Sequence, residues 1–131
     1  MGVLSDLVPG IPGDEQRILG ILVPHNELGG IDIQGVQVLE VQMLHEVVLG
    51  SKLDLEPTMN NAEGPWVFAI PNAMTAALAT LEGAALREAA KRWAKRLEVD
   101  SGALDDVLGR ICKLARSTIS AHQELFLWVC L

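Results

Sequence analysis

Three histidines, two cysteines and one run of cations are the side chains from which this chain could build chemistry. The histidines are His25, His45 and His122, and the cysteines are Cys112 and Cys130. A metal ion is held most readily by ligands at spacings such as CxxC or HxxxH, where one loop or helix turn presents two at once. No two of these residues fall at such a spacing. His25 with Glu27, and His45 with Glu46, are the nearest imidazole–carboxylate neighbours. A Cys–His nucleophile needs a setting that favours the thiolate, and both cysteines lie in apolar stretches that disfavour it. The histidines therefore read as surface or capping groups and the cysteines as small core residues. No catalytic, cofactor-binding or metal-ligating residue is assigned, and no cofactor is expected.

Other catalytic patterns are missing as well. Gly10 and Gly13, or Gly29 and Gly30, are too few for a phosphate cradle, and neither GxxxxGK[ST] nor GxGxxG occurs. None of Ser5, Ser51, Ser101, Ser117 and Ser120 sits in a nucleophile elbow. Asp105 and Asp106 are explained by the positive end of a helix, which favours acids there.

The segment REAAKRWAKR is the one marked electrostatic feature. On a helix, Arg87, Lys91 and Lys95 form one row, and Arg92 and Arg96 the next. Like charges four residues apart repel, so local helix stability did not select them, although Glu88 offsets part of the cost. These five cations are the candidate interaction face, suited to an acidic partner. The plainer alternative is an ordinary solvated helix face. Trp93 lies between the rows and reads as core.

The elements that must carry these residues follow from pattern and composition. The chain has 131 residues, half of them hydrophobic, with three Trp, two Phe and no Tyr. That length and composition predict one globular domain over residues 1–131, with a core of Leu, Val, Ile and Ala. No basic leader opens the sequence and no apolar run is long enough for a membrane span, so a cytoplasmic location is expected, with no membrane partner. The net charge of −7 argues against nucleic acid as a partner. The charge is polarised: residues 1–63 hold ten acids against Arg17 and Lys52, and the remainder hold seven acids against eight bases. The asymmetry suggests that the halves attract, within one chain or across a homodimer; the plainer reading is that acids on the first half simply keep it soluble.

Residues 2–8 predict a strand stopping at Pro9, followed by a Pro/Gly turn and a short helix capped by Asp14. Ile21–Val23 read as extended before Pro24, and 25–30 as a loop. Over 31–43 a strand and a helix compete: Ile31 and Ile33 alternate, whereas Leu39, Met43 and Val47 recur at helical spacing. Helices are predicted over about 38–49, 72–81, 84–98 and 103–121, with Asn72 capping the second and Asp106 pairing with Arg110 in the last. Residues 50–64 form the longest loop. The segments WVFAI and LFLWVCL are apolar on both faces, as strands inside a covered sheet are. The expected fold is α+β, a small mostly antiparallel sheet in which strand 124–130 pairs with 65–70. Three helices would cover one face; the N-terminal half or a second copy would cover the other.

The segments GIDIQGV, MLHEVVLG, GPWVFAIPNAMTAALATL and RSTISAHQELFLWVCL resemble a group of small bacterial proteins of unknown function. The resemblance implies a bacterial intracellular protein and supplies no activity or site residue. The functional expectation is a non-catalytic protein-interaction module, a regulatory or immunity-type binder that engages a protein partner or itself. The alternative is a small-molecule-binding protein or enzyme with a site near the 50–64 loop, recruiting His45 or His25.

Overall fold

The computed structural model describes residues 4–33, 36–57, 59–60 and 64–130, with Met59 and Asn60 given as backbone alone. Its framework is an antiparallel sheet of order β2-β1-β5-β4-β3, formed by β1 (Leu4–Gly10), β2 (Ile31–Asp32), β3 (Met59–Asn60), β4 (Trp66–Ala69) and β5 (Glu124–Cys130). β5 is the central strand. It pairs with β4 from Trp66↔Val129 to Ala69↔Phe126, and along its whole length with β1. The α+β class and the pairing of 124–130 with 65–70 are as the sequence indicated.

Alternation sorts the apolar residues onto two faces. Leu125, Leu127, Val129, Phe68 and Leu7 enter the larger core; Phe126, Trp128, Val67 and Val8 enter a smaller one. The larger core lies under α3 (Val38–Leu49), α4 (Asn72–Thr80), α5 (Gly83–Arg96) and α6 (Asp105–Ser120). The smaller is closed by α1 (Glu15–Leu19), with Ile18 and Leu19, and by Leu28 just past α2 (Pro24–Glu27). The N-terminal half therefore covers the second face, and the apolar seam that would have called for a second copy is filled within one chain.

Helix periodicity located α3 to α6 to within a few residues at each end. α3 ends where Gly50 takes φ 73°, a left-handed conformation that glycine adopts without steric cost. The competition over 31–43 resolves as both elements in turn, a two-residue strand followed by a helix from Val38. Along α6 the buried stripe is Leu108, Ile111, Cys112, Leu114, Ala115 and Thr118, while the neighbouring Ile119 is 42% exposed. Thr118 takes the inward place because its hydroxyl donates to the Leu114 carbonyl, 2.7 Å away, which satisfies it without water.

Several local expectations are corrected. β1 continues through Pro9 to Gly10, and residues 2 and 3 lie outside the described residues. The Ser5 carbonyl accepts from the Ile33 N–H, so odd-numbered residues of β1 turn their amide groups toward β2. At Pro9 that edge runs past the end of β2, and the missing N–H breaks no ladder bond. Residues 25–27, within the stretch 25–30 read as loop, join Pro24 in a single helical turn, with Pro24 at its start, where the fixed φ of proline is pre-organised. Ile21–Val23, read as extended, form no strand. Asp14 stands at the start of α1, yet its carboxylate accepts from the Ile11 N–H at 3.0 Å and does not cap the helix. Asn72 is the first residue of α4, with Pro71 in the cap position. The 50–64 loop contains β3, paired to β4 at Met59↔Val67. No ion pair joins Asp106 to Arg110 among the described residues; Arg110 Nη2 donates to the Asp32 carbonyl at 3.1 Å.

Candidate functional site

α5 presents the cationic rows as the spacing required. Ala89, Ala90, Trp93 and Ala94 form its buried side, which leaves Arg87, Lys91, Arg92, Lys95 and Arg96 exposed. Two bonds fix α5 against α3. Trp93 is fully buried and its indole N–H donates to the Glu40 carbonyl at 2.9 Å, so this ring is core and satisfied. Arg96 Nη2 lies 2.8 Å from Glu46 Oε2. That ion pair joins a cation of the second half to an acid of the first inside one chain. Arg96 therefore belongs to the fold as much as to the surface. Lys91, Arg92 and Lys95 make no ion pair among the described residues.

After α5 the chain turns back sharply: the Val99 N–H donates to the Ala94 carbonyl. This turn leaves Val99 45% exposed between two hollows. One, of about 470 Å³, is apolar and lies between α3 and the α5–α6 connection, lined by Val36, Leu39, Met43, Leu97 and Leu104. Leu39, at 59% exposure, forms its outer wall, and Glu40, Arg96 and Glu98 rim it. The second, of about 420 Å³, is lined by Glu88, Lys91, Arg92, Lys95 and Ser101, with Val99 shared between the two. A third hollow of about 410 Å³ extends the first past Leu39 and Met43 toward Lys52, Leu53 and Asp54. The first is a shallow apolar trough, continued on one side by a hollow that Glu46, Lys52, Asp54 and Arg96 make polar, and flanked past Val99 by the three cations with Glu88. Helix periodicity hid this trough, because Leu39 and Met43 fit the same stripe as buried residues of α3. The signal available was Leu39 followed by polar Glu40 and Gln42, an apolar residue on the wetter side of its helix.

The other residues considered from sequence separate into clear roles. His45 is buried, and its Nδ1 lies 2.7 Å from the Ser51 carbonyl, so it ties the end of α3 to the start of the 50–57 segment. His122 is exposed, with φ 57°, in the turn after α6. Cys112 is fully buried in α6, and burial pushes its thiol up to about 11, a poor nucleophile. Cys130 is half-buried at the end of β5 and forms no disulfide.

His25 does not meet Glu27. Its Nδ1 and its backbone N–H both lie 2.9 Å from Asp6 Oδ2. Asp6 is only 3% exposed, and Asp32 stands directly opposite it across β1 and β2. No sequence spacing announces this grouping, since 19 and then 7 residues separate its members. The one sequence signal was Asp6 itself, an acid within the largely apolar stretch LSDLV of β1. No family model, curated protein or solved structure matches this chain.

Proposed function

We propose that this chain is a cytoplasmic protein-interaction module, a regulatory or immunity-type binder, whose trough takes an acidic amphipathic segment of a partner protein. The reading is carried by one juxtaposition: an apolar trough walled by exposed Leu39 and Val99, directly beside Lys91, Arg92 and Lys95. An amphipathic helix binds by laying its apolar residues into such a trough. Carboxylates on its flank would meet the cations, which speeds encounter and fixes orientation more than it adds affinity. Among the described residues no helix is long and apolar enough to cross a membrane, which is compatible with that location.

The test is a titration of the 15N-labelled chain with a synthetic amphipathic peptide bearing Glu on its polar face, and with the same peptide bearing Lys. The acidic peptide should shift the amides of Leu39, Met43, Lys95 and Val99, weaken with added salt, and lose binding to a Lys91→Glu/Lys95→Glu variant. Equal binding of the two peptides, or shifts centred elsewhere, would refute the reading. A salt-sensitive dimer abolished by the same variant would give the trough to a second copy of the chain.

A further inference from the structure

We propose that Asp6, His25 and Asp32 form a binding site for a divalent transition cation, with Zn2+ the best fit to its donors. The site is remote in character from the trough and rests on separate observations. One ligand atom from each of the three residues lies within 4.8 Å of the other two. A tetrahedral ion bound at about 2.0–2.2 Å needs donors about 3.4 Å apart. Small rotations of the half-buried His25 and Asp32 side chains can supply that contraction.

Packing alone does not account for the group. Asp6 and Asp32 are register partners, so their carboxylates leave the sheet on the same face as close neighbours. Like charges placed directly opposite destabilise a sheet, and the Asp6 carboxyl occupies a nearly water-free position, where a charge is costly unless compensated. His25 supplies one compensating group, and the Arg110 guanidinium lies beside the Asp32 backbone. A second, independent observation lies in the same row of the sheet. Trp128 is the register partner of Asp6 on its other side, is only 4% exposed, and its buried indole N–H has no acceptor among the described residues. Buried indoles ordinarily find an acceptor. A three-ligand metal retains water or hydroxide in its open positions, and a metal-bound hydroxide on this face of the sheet would offer that N–H an acceptor.

The donor set selects the ion. One imidazole with two carboxylates suits Zn2+ or Mn2+; Mg2+ and Ca2+ prefer oxygen alone, and no thiolate is present to attract copper(I). His25 Nδ1, which already faces Asp6 Oδ2 at 2.9 Å, is the ring atom placed to share an ion with that carboxylate, which requires the tautomer protonated at Nε2.

The test uses the full chain, stripped with chelator and titrated with ZnCl2 by calorimetry. Wild type should bind one Zn2+ per chain. Asp32→Asn and His25→Gln should each weaken binding at least tenfold, while His122→Gln, which alters an exposed histidine elsewhere, should leave it unchanged. In a separate measurement that needs no variant, substoichiometric Mn2+ should broaden the indole N–H resonance of Trp128 and spare that of Trp93, which lies in the other core. Absence of Zn2+ binding up to millimolar concentration, retention of binding in Asp32→Asn, or equal broadening of the two indoles would overturn the proposal.

Discussion

Replacing Phe126 by Ala tests the central claim about how this fold is held. Phe126 sits at the middle of β5, is fully buried, and faces Val8 on one side and Ala69 on the other in register. Its ring fills the smaller core with Ile18, Val67 and Trp128, and an ideal Cβ built on Gly10 would lie 3.1 Å from it. With so tight a surround, little collapse can refill the space, and the loss should reach about 3–5 kcal/mol. With a urea slope of about 1–3 kcal/mol per molar, the unfolding midpoint should fall by on the order of 2 M. Leu22→Ala is the matched control: Leu22 is 88% exposed, and its truncation should change stability by less than about 0.5 kcal/mol. Tryptophan fluorescence in urea reads both. The extreme form of the same perturbation is removal of residues 125–131. Leu125, Phe126, Leu127, Trp128 and Val129 are all buried, and each contributes roughly 1.5–3 kcal/mol. Their joint loss matches or exceeds the whole stability of a typical domain, about 5–15 kcal/mol. It would also part β1 and β2 from β3 and β4, which meet only through β5. A Phe126→Ala protein whose midpoint moves by less than about 0.5 M, or a truncated chain that melts cooperatively at the wild-type temperature, would refute the reasoning.

Two further outcomes follow from local geometry. A Cβ added at Gly30 would overlap the Leu7 carbonyl oxygen and lie 2.9 Å from Val8 Cα, both backbone atoms that cannot swing aside. Gly30→Ala should cost about 1–3 kcal/mol, measured by urea unfolding, and hydrogen exchange should quicken first at the β1–β2 edge. Burial raises the Cys112 thiol from 9.0 to about 11, so between those values the unfolded chain has released a proton that the folded chain retains. The stability linked to this group is complete below about pH 9 and is lost as pH rises toward 11, because the unfolded state binds fewer protons over that window. Cys112→Ser should flatten that part of the stability–pH curve, and at pH 8 iodoacetamide should leave Cys112 of the folded chain unmodified.

Sequence by itself determined the elements whose pattern is local. α3 to α6 were legible because apolar residues recur at helical spacing and Gly50, Pro71 and Gly83 punctuate them. β4 and β5 were legible because four to seven residues apolar on both faces have no stable home outside a covered sheet. The cationic rows of α5 followed from the same helical geometry. What no local pattern carried was partnership at long range. The order β2-β1-β5-β4-β3 places the first and last strands side by side, a choice made by which buried faces complete one another. Pro9 is tolerated within β1 only because β2 is too short to reach it. The one-turn helix α2 exists because Pro24 starts it and Asp6, 19 residues earlier, holds the His25 N–H. Leu39 and Val99 meet across a trough, and Asp6 and Asp32 meet across a strand pair, for the same reason. Side-chain periodicity states which way a residue faces along its own element, while what it faces is decided only when the sheet closes.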